Sequence, residues 1–584
     1  MDTCQVFPQT GRAVRILQET LPEGVASVTI TVETNACDLE DGSKQMPEAG
    51  MTQNTPEKSG RRFLKGALIL TVAGVVVKVI GSLNWIFLSW ILGGEGIGIY
   101  QIAFPLYLLA LSISDAGIPV AVSIITAERA ALQDYRGAQR VFHLSFLLLA
   151  VTGMVLSLLL FFGAGWLIEH RMIRDARAYY SIIALAPAIF LVTLLSSFRG
   201  YLQGWQMMAP TAVSQIVEQL LRVFTMLVFA YWLLPSGLEF AAGGASLGAG
   251  FGAVGALGVL VWYYFRLQKQ LQQKMQLAPI LPDGESNRSI LRRLAALALP
   301  VSLSSLMLPV VANLDLFIVP LRLEAAGFSV GQATERFGYL TGMAVPLVNL
   351  ATIVTASLSI SLVPAISQAK SLGDKQEVLY RTAGAMRLAN LTTVPFSVLL
   401  FLLAEPVVSM IYHAPGAAGV TQVMAGGIFL LGLHQVTTGL LQGLGRTTIP
   451  VVNMGLAAVV KVVLNWVLTA IPALGIQGAG LATLADLGLA AGLNLYFVYR
   501  YTGYCFPCGD LLKNIAAAAV MGVVVQFSYG PALSLLRIPF VAVAVVSLVG
   551  GFVYIAVMLA TGGLTRRDLA RIPFFGPRLF KDPA

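Results

Sequence analysis

The sequence predicts an all-α polytopic membrane protein of about 14 transmembrane helices, set out as two parallel six-helix lobes with two extra C-terminal helices. Three observations carry this expectation. Of 584 residues, 57% are hydrophobic and only 11% charged, and the mean hydropathy is +0.77, too apolar for a chain that lives in water. From Phe63 onward, apolar runs of roughly 20 residues, enough to cross a hydrocarbon core of ~30 Å, follow one another with short breaks. Between those runs the basic residues divide 26 to 6 across the predicted membrane, which argues for an even number of spans with both ends cytoplasmic.

Taken in order, residues 1–60 are polar and unpatterned, with nine acids before Arg61 and no apolar run of the kind a cleavable signal peptide needs. They read as a disordered tail. The polar, then basic lead-in from Met51 reads as the start of the working chain, residues 1–50 being an extension. Predicted spans then cover 63–92, 97–123, 141–168, 179–202, 211–234 and 241–266 (N-lobe, 61–266), followed by a Gln-rich cytoplasmic linker at 267–293. Spans at 294–321, 338–364, 385–412, 422–443, 450–471 and 475–500 make the C-lobe, 294–500. Two more, 511–531 and 536–561, complete residues 501–561 before a basic cytoplasmic tail, 562–584. One loop dissents from the charge rule: 168–178 places Arg171, Arg174 and Arg177 on the predicted outer side.

The lobes are inferred from an internal repeat. FRGYLQGWQMMAPTAVSQIVEQLLRV, ending at Val223, returns 239 residues later as TGLLQGLGRTTIPVVNMGLAAVVKVV. Gln203-Gly204 pairs with Gln442-Gly443, and nineteen residues after each Gln comes Arg222 or Lys461. The second helices of the two copies are spans 5 and 11, so the period is an even number of spans and the copies run the same way, as in transporters that hold substrate between parallel halves.

Cations at bilayer depth are costly, roughly 2.5 to 3.5 kcal/mol on insertion scales, so they should face protein or water. Three occur: Lys78, Arg222 and Lys461. Arg222 has Glu218 one turn earlier, the spacing of a structural pair. Lys78 and Lys461 have no acid within four residues on their own helices, and are expected to line a hydrated, anion-accepting cavity. Of the intramembrane acids Asp115, Glu218, Asp315 and Asp486, the best place for a coupling cation or proton is Asp315. It lies near Asn313 in a span interrupted by Pro300, Pro309 and Pro320, where a broken helix would expose carbonyls; Asp115 is a further candidate.

Several motifs carry no function. Gly250-Phe-Gly252-Ala-Val-Gly255 fits a dinucleotide loop yet sits inside an apolar span, where small residues serve helix packing. Ser367-Gln-Ala-Lys370 lacks the companions of an acylating enzyme. Cys505-Phe-Pro-Cys508 has no second pair or nearby histidine for zinc. No cofactor or metal is expected, the chain is not expected to be an enzyme, and its basic loops follow membrane orientation rather than nucleic-acid binding.

The stretches FRGYLQG to PTAVSQIVEQLLRV, GLLQGLGRTTIP and VVKVVLNWVL resemble the stage V sporulation protein B family of polysaccharide transporters. That family lies in the multidrug, oligosaccharidyl-lipid and polysaccharide exporter superfamily with the lipid II flippases; the resemblance runs from about Arg61 to Leu564. It implies an alternating-access flippase or exporter of an undecaprenyl-pyrophosphate-linked saccharide, most readily the peptidoglycan precursor lipid II, with spore cortex synthesis as one use. Substrate would be held by Lys78, Arg222, Lys461, Glu218, Gln203 and Gln442, after attraction by the cytoplasmic Arg129, Arg199 and Arg446. Membrane lipids and a coupling cation or proton are the other expected partners. The chain departs from the flippase pattern in having no arginine in the inner part of span 2 and no basic residue between Tyr339 and Gln368. The alternatives are export of another lipid-linked polysaccharide, cation-coupled drug efflux, and, from other classes, a membrane glycosyltransferase or a cell-wall scaffold.

Overall fold

A computed structural model describes residues 56–115, 117–277 and 285–564. The expected extension at residues 1–50, the rest of the expected N-terminal tail up to residue 55, and the expected basic tail from 565 lie outside the described residues. Among those described there is no strand, as a bilayer demands: with no water to satisfy backbone groups, a spanning segment bonds within itself as a helix.

The helices run in chain order as α1 (Pro56–Asp115), α2 (Ile118–Ala131), α3 (Tyr135–Glu169), α4 (Tyr179–Gly204), α5 (Met208–Leu233), α6 (Leu238–Leu277), α7 (Asn287–Ala325), α8 (Val330–Gly338), α9 (Val345–Ala351) and α10 (Ile353–Ser371). They continue as α11 (Lys375–Leu402), α12 (Ala404–Tyr412), α13 (Ala418–Gly443), α14 (Thr448–Leu468), α15 (Ile476–Thr502), α16 (Cys508–Leu536) and α17 (Pro539–Ala560). Two expected boundaries move. Residues 56–60 are helical rather than tail, and the linker narrows because α6 continues to Leu277 and α7 starts at Asn287.

Twelve helices, not fourteen, are long and apolar enough to cross a membrane among the described residues. The first two predicted spans fall in one 60-residue stretch. It is bent at Gly93, whose φ of 65° and ψ of −173° interrupt helical geometry, a conformation that glycine reaches without a Cβ penalty. The seventh expected span is α7, which is not among the twelve. Despite Pro300, Pro309 and Pro320, α7 is one continuous helix of 39 residues, so the expected break at Asp315 does not occur. Helix geometry departs instead at a π-helical turn over Tyr339–Ala344.

The sequence repeat returns as a repeated turn. After α4, Gln206 N–H donates to Gln203 O and Met207 N–H to Leu202 O; after α13, Gly445 N–H donates to Gln442 O and Arg446 N–H to Leu441 O. These are the two bonds of a Schellman motif, which needs a left-handed residue just past the helix. Gln206 (φ 57°) and Gly445 (φ 72°) supply it.

Helices α2 to α6 pack on one another, as do α10, α11, α13, α14 and α15, while α7 packs against both α2 and α14. An apolar cluster joins the two sets, bringing Ile99, Ile102 and Tyr107 of α1 against Leu316 and Val319 of α7, Phe337 of α8 and Ile428 of α13. Beside it α1 and α8 touch backbone to backbone: a Cβ on Gly98 would collide with the Thr334 carbonyl, and one on Gly338 with Gly94 and Gly98.

Candidate functional site

Arg222, on the middle of α5, is held by Glu218 at 2.9 Å across one helical turn, the pairing its spacing predicts. The other Glu218 oxygen accepts from Arg199 of α4, also at 2.9 Å, and Arg199 donates to Ser214 Oγ at 3.2 Å. One carboxylate thus gathers two guanidiniums. Arg199, expected to help attract the headgroup, is thus ion-paired to the neighbouring helix α5. Asp115, at the end of α1, accepts from Ser196 Oγ at 2.8 Å through one oxygen, while its other oxygen is buried without a hydrogen-bond partner.

Lys461, only 6% exposed, has no acid near it on its own helix and is expected to line an anion-accepting cavity, not to be held by another helix. It is so held: its ammonium donates to Asp315 Oδ2 of α7 at 2.6 Å, and Asn465 donates to Asp315 Oδ1 at 2.7 Å. The chain's own donors therefore engage both oxygens of the residue expected to hold a coupling ion. Asp486 of α15 lies within electrostatic reach of Lys461 and Asp315, with one carboxylate oxygen unpartnered. Asn313 does not join this cluster. Its amide bridges Pro309 O on its own helix and Pro105 O on α1, each at 2.8 Å, tying α7 to α1. Asn465 went unnoticed in the sequence, although Asn453, Lys461 and Asn465 repeat every four or eight residues on one face of α14, and all three are buried.

Lys78 is the cation left over. It is exposed, and no acid lies within ion-pairing distance of it among the described residues. Its side chain lines a cavity of about 270 Å³ between α1 and α10, with Leu70, Gly74, Val75, Ile353, Ser357 and Ile360. The walls are apolar apart from one ammonium and one hydroxyl.

The repeated glutamines and the remaining arginines lie elsewhere, at the end of the bundle that carries most of the basic loops. Gln203 contacts Thr211 Oγ1 at 3.4 Å, and Gln442 is exposed at its turn. Neither is brought to Lys78. Arg129 is paired with Asp134 at 2.8 Å and Glu285 at 2.5 Å, whereas Arg446 is exposed with its guanidinium 5.0 Å from the Tyr501 ring centre.

At the opposite end, two of the three dissenting arginines have a structural cause. Arg174 grips Glu324 at the end of α7 with two bonds of 2.8 and 2.5 Å, and Arg177 pairs with Glu95 and Asp175 at 2.8 Å each. Asp175 also accepts from Thr334 of α8 at 2.8 Å. Burial alone would raise the Asp175 carboxyl, but the hydrogen bonds from Arg177 and Thr334, with the Arg177 charge, outweigh it and hold the group below the usual carboxylate value. These bonds and the apolar cluster close that end.

Compared with known proteins, residues 63–370 match the family described as polysaccharide biosynthesis protein. The chain belongs to that family. Residues 341–467 also match the MatE family. Among curated relatives, stage V sporulation protein B of Bacillus subtilis is 31% identical over 523 residues, 88% of this chain and 98% of the relative. Lipid II flippase MurJ of the same organism is 26% identical over 548 residues, 88% and 98% of the two chains. The fold matches a solved lipid II flippase MurJ in an inward closed conformation, with a TM-score of 0.56 at 16% identity, covering 86% of this chain and all of that one. It also matches an inward-facing multidrug resistance MATE transporter at a TM-score of 0.56 and 16% identity, covering 75% and 98%. The chain is a multi-pass membrane protein that shares its fold with a solved lipid II flippase and a solved MATE transporter.

Proposed function

We propose that this transporter flips an undecaprenyl-pyrophosphate-linked saccharide, with the peptidoglycan precursor lipid II as substrate and spore cortex synthesis as one use. The observation that carries the reading is Lys78: an ammonium with no acid in ion-pairing distance among the described residues, in a cavity between α1 and α10 whose other walls are apolar apart from Ser357. A pyrophosphate-linked sugar needs its charge and hydroxyls kept hydrated or replaced by protein donors, while its polyprenyl tail needs hydrocarbon. Such a pocket offers the ammonium to the first and apolar walls to the second, the Ser357 hydroxyl donating to Ile353 O.

In this reading α1–α6 and α7–α15 act as two lobes, the closed end faces outward, and both termini are cytoplasmic. Arg199 and Arg222, shared by Glu218, form the next anion-accepting station in the N-lobe, and Arg129 and Arg446 add positive potential at the entry. Lys461 shapes the C-lobe rather than binding substrate, because Asp315 already satisfies it. A coupling proton or cation is then better served by Asp115 and Asp486, each with a free carboxylate oxygen, than by Asp315. Each net charge carried across would draw about 2.3 kcal/mol from 100 mV of membrane potential.

The test is flipping of fluorescent lipid II in proteoliposomes. Lys78→Gln should abolish most of the rate while Lys78→Arg keeps it; an undiminished rate in Lys78→Gln would sink the reading. Those same orphaned carboxylates favour proton-coupled drug efflux as the second reading, and drug accumulation under a pH gradient separates the two.

A further inference from the structure

We propose that Gln219 of α5 is a specificity-determining residue, its side-chain amide reading the hydroxyl groups of the saccharide that a polyprenyl pyrophosphate carries; this rests on the flippase reading of the Lys78 cavity. Gln219 lies one residue after Glu218 and three before Arg222. With Gln215, Arg222 and Met226 it follows the i, i+4, i+7, i+11 spacing that puts all four on one helix face. Two contacts turn that face toward α1. Asn84 of α1 donates to Met226 Sδ at 3.1 Å, and a Cβ added to Gly81 of α1 would lie 3.3 Å from the amide nitrogen of Gln219.

The same stripe of α1 lines the Lys78 cavity. Gly74 and Lys78 belong to its wall, and Gly81 follows them at the i, i+4, i+7 spacing of one face. The contacts from Gly81 to Gln219 and from Asn84 to Met226 ascend both chains together, so α1 and α5 run the same way. Gly81 comes three residues after Lys78, and Arg222 three after Gln219, a rise of about 4.5 Å in each helix. The amide is therefore bracketed by two cations along the axis of the bundle. An anion handed from Lys78 toward Arg222 carries its sugar past Gln219.

Among the described residues, nothing bonds that amide. Its neighbours Glu218 and Arg222 are engaged with each other and with Arg199, while the half-buried Gln219 side chain makes no hydrogen bond of its own. A polar group withdrawn from bulk water costs free energy until water or a ligand satisfies it. A purely structural role is opposed by the repeat: where the first copy has Gln215 and Gln219, the second has Met454 and Ala458. Ala458 is buried in α14, so the repeated helix packs at this position without an amide. A carboxamide both donates and accepts, which suits neutral hydroxyls, whereas a pyrophosphate is taken by the cations on either side. A site built to bond a hydroxyl discriminates strongly against an analogue that lacks it. Glycine at position 81 leaves the amide room beside α1.

The test is equilibrium binding of lipid II and of undecaprenyl pyrophosphate, which lacks the sugars, to the full-length protein in nanodiscs. The wild type should bind lipid II several-fold more tightly. Gln219→Met, which keeps the length of the side chain and removes the amide, should abolish that ratio while leaving the affinity for undecaprenyl pyrophosphate and the melting midpoint unchanged. Gly81→Ala, which crowds the amide without removing it, should reduce the ratio in part. Equal binding of the two lipids by the wild type, or an unchanged ratio in Gln219→Met, overturns the proposal. So does an equal loss for both lipids in Gln219→Met, which would make the residue a support for the arginines. Lys78→Gln should weaken both lipids alike. If it weakens neither, the flippase reading of the cavity fails; if it weakens both while Gln219→Met keeps the ratio, the role of Gln219 alone fails.

Discussion

Lys461 and Asp315, 146 residues apart in the chain, meet at 2.6 Å and fasten α14 to α7 within the apolar interior. Removing one partner of a buried pair leaves an uncompensated charge and typically costs about 3–5 kcal/mol, whereas replacing both by apolar groups is often neutral. Lys461→Met should therefore lower the melting midpoint in detergent sharply. Lys461→Met with Asp315→Leu should recover most of the loss, and a double variant no better than the single one would show that Lys461 is held by something other than Asp315.

The repeated turn predicts an asymmetry between two glycine substitutions. Gln206 occupies the left-handed position that Gly445 fills in the second copy, and a side chain there costs roughly 1–2 kcal/mol. Gln206→Gly should stabilise the chain by up to about 1 kcal/mol, less the flexibility gained by the unfolded state. Gly445→Ala should destabilise it by about 1 kcal/mol or more. Thermal melts of the two variants should shift in opposite directions.

What could be read beforehand depended on sequence distance. The Arg222–Glu218 pair is one helical turn, and the spacing alone announces it. The turn after Gln203 and Gln442 was legible because both copies keep the residues that end the helix. Lys461 looked unpaired because its partner lies on another helix, and no local pattern reports that. Yet Asn453 and Asn465 on the same face of α14 marked a buried polar seam. The expected break at Asp315 does not occur, since α7 runs helical through Pro300, Pro309 and Pro320, and a proline inside a helix need not end it. The cavity at Lys78 needs α10, over 270 residues further on, and only the fold brings it there.

The Asp175 carboxyl predicts a pH dependence with a definite sign. Arg177 and Thr334 hold its folded pKa below the unfolded value, so its stabilisation is complete above the ordinary carboxylate range, near 4, and is lost as pH falls through the lower folded value. The melting midpoint of the wild type should drop in that acid window. Asp175→Asn should start lower at neutral pH and lose that part of the acid dependence; parallel curves would remove Asp175 from the closed end.

Arg174 and Glu324 make the bond that joins the 168–178 loop to α7, and opening that end requires breaking it. Arg174→Glu or Glu324→Arg alone should raise labelling of Ala344→Cys, fully buried in the apolar cluster, by a membrane-impermeant maleimide in a chain whose four native cysteines are serines. The double exchange should restore protection, because opposite charges face each other again. Protection that stays lost in the double exchange would mean that the site depends on the original geometry of these side chains, not on their attraction.

Glu218 offers the most direct probe of how an anion would move past the N-lobe arginines. With each oxygen at 2.9 Å from a different guanidinium, it competes for the donors that a phosphate would take. Glu218→Gln keeps the shape of the side chain but removes its charge, so Arg199 and Arg222 together present one more positive charge to an incoming anion. Equilibrium binding of a polyprenyl pyrophosphate should then tighten severalfold while flipping slows, because release from the site becomes harder. Removing the carboxyl by Glu218→Ala should lower the melting midpoint as well, since two half-buried guanidiniums lose the group that holds them together. Weaker binding in Glu218→Gln would mean that the carboxylate positions the arginines rather than competing with the substrate.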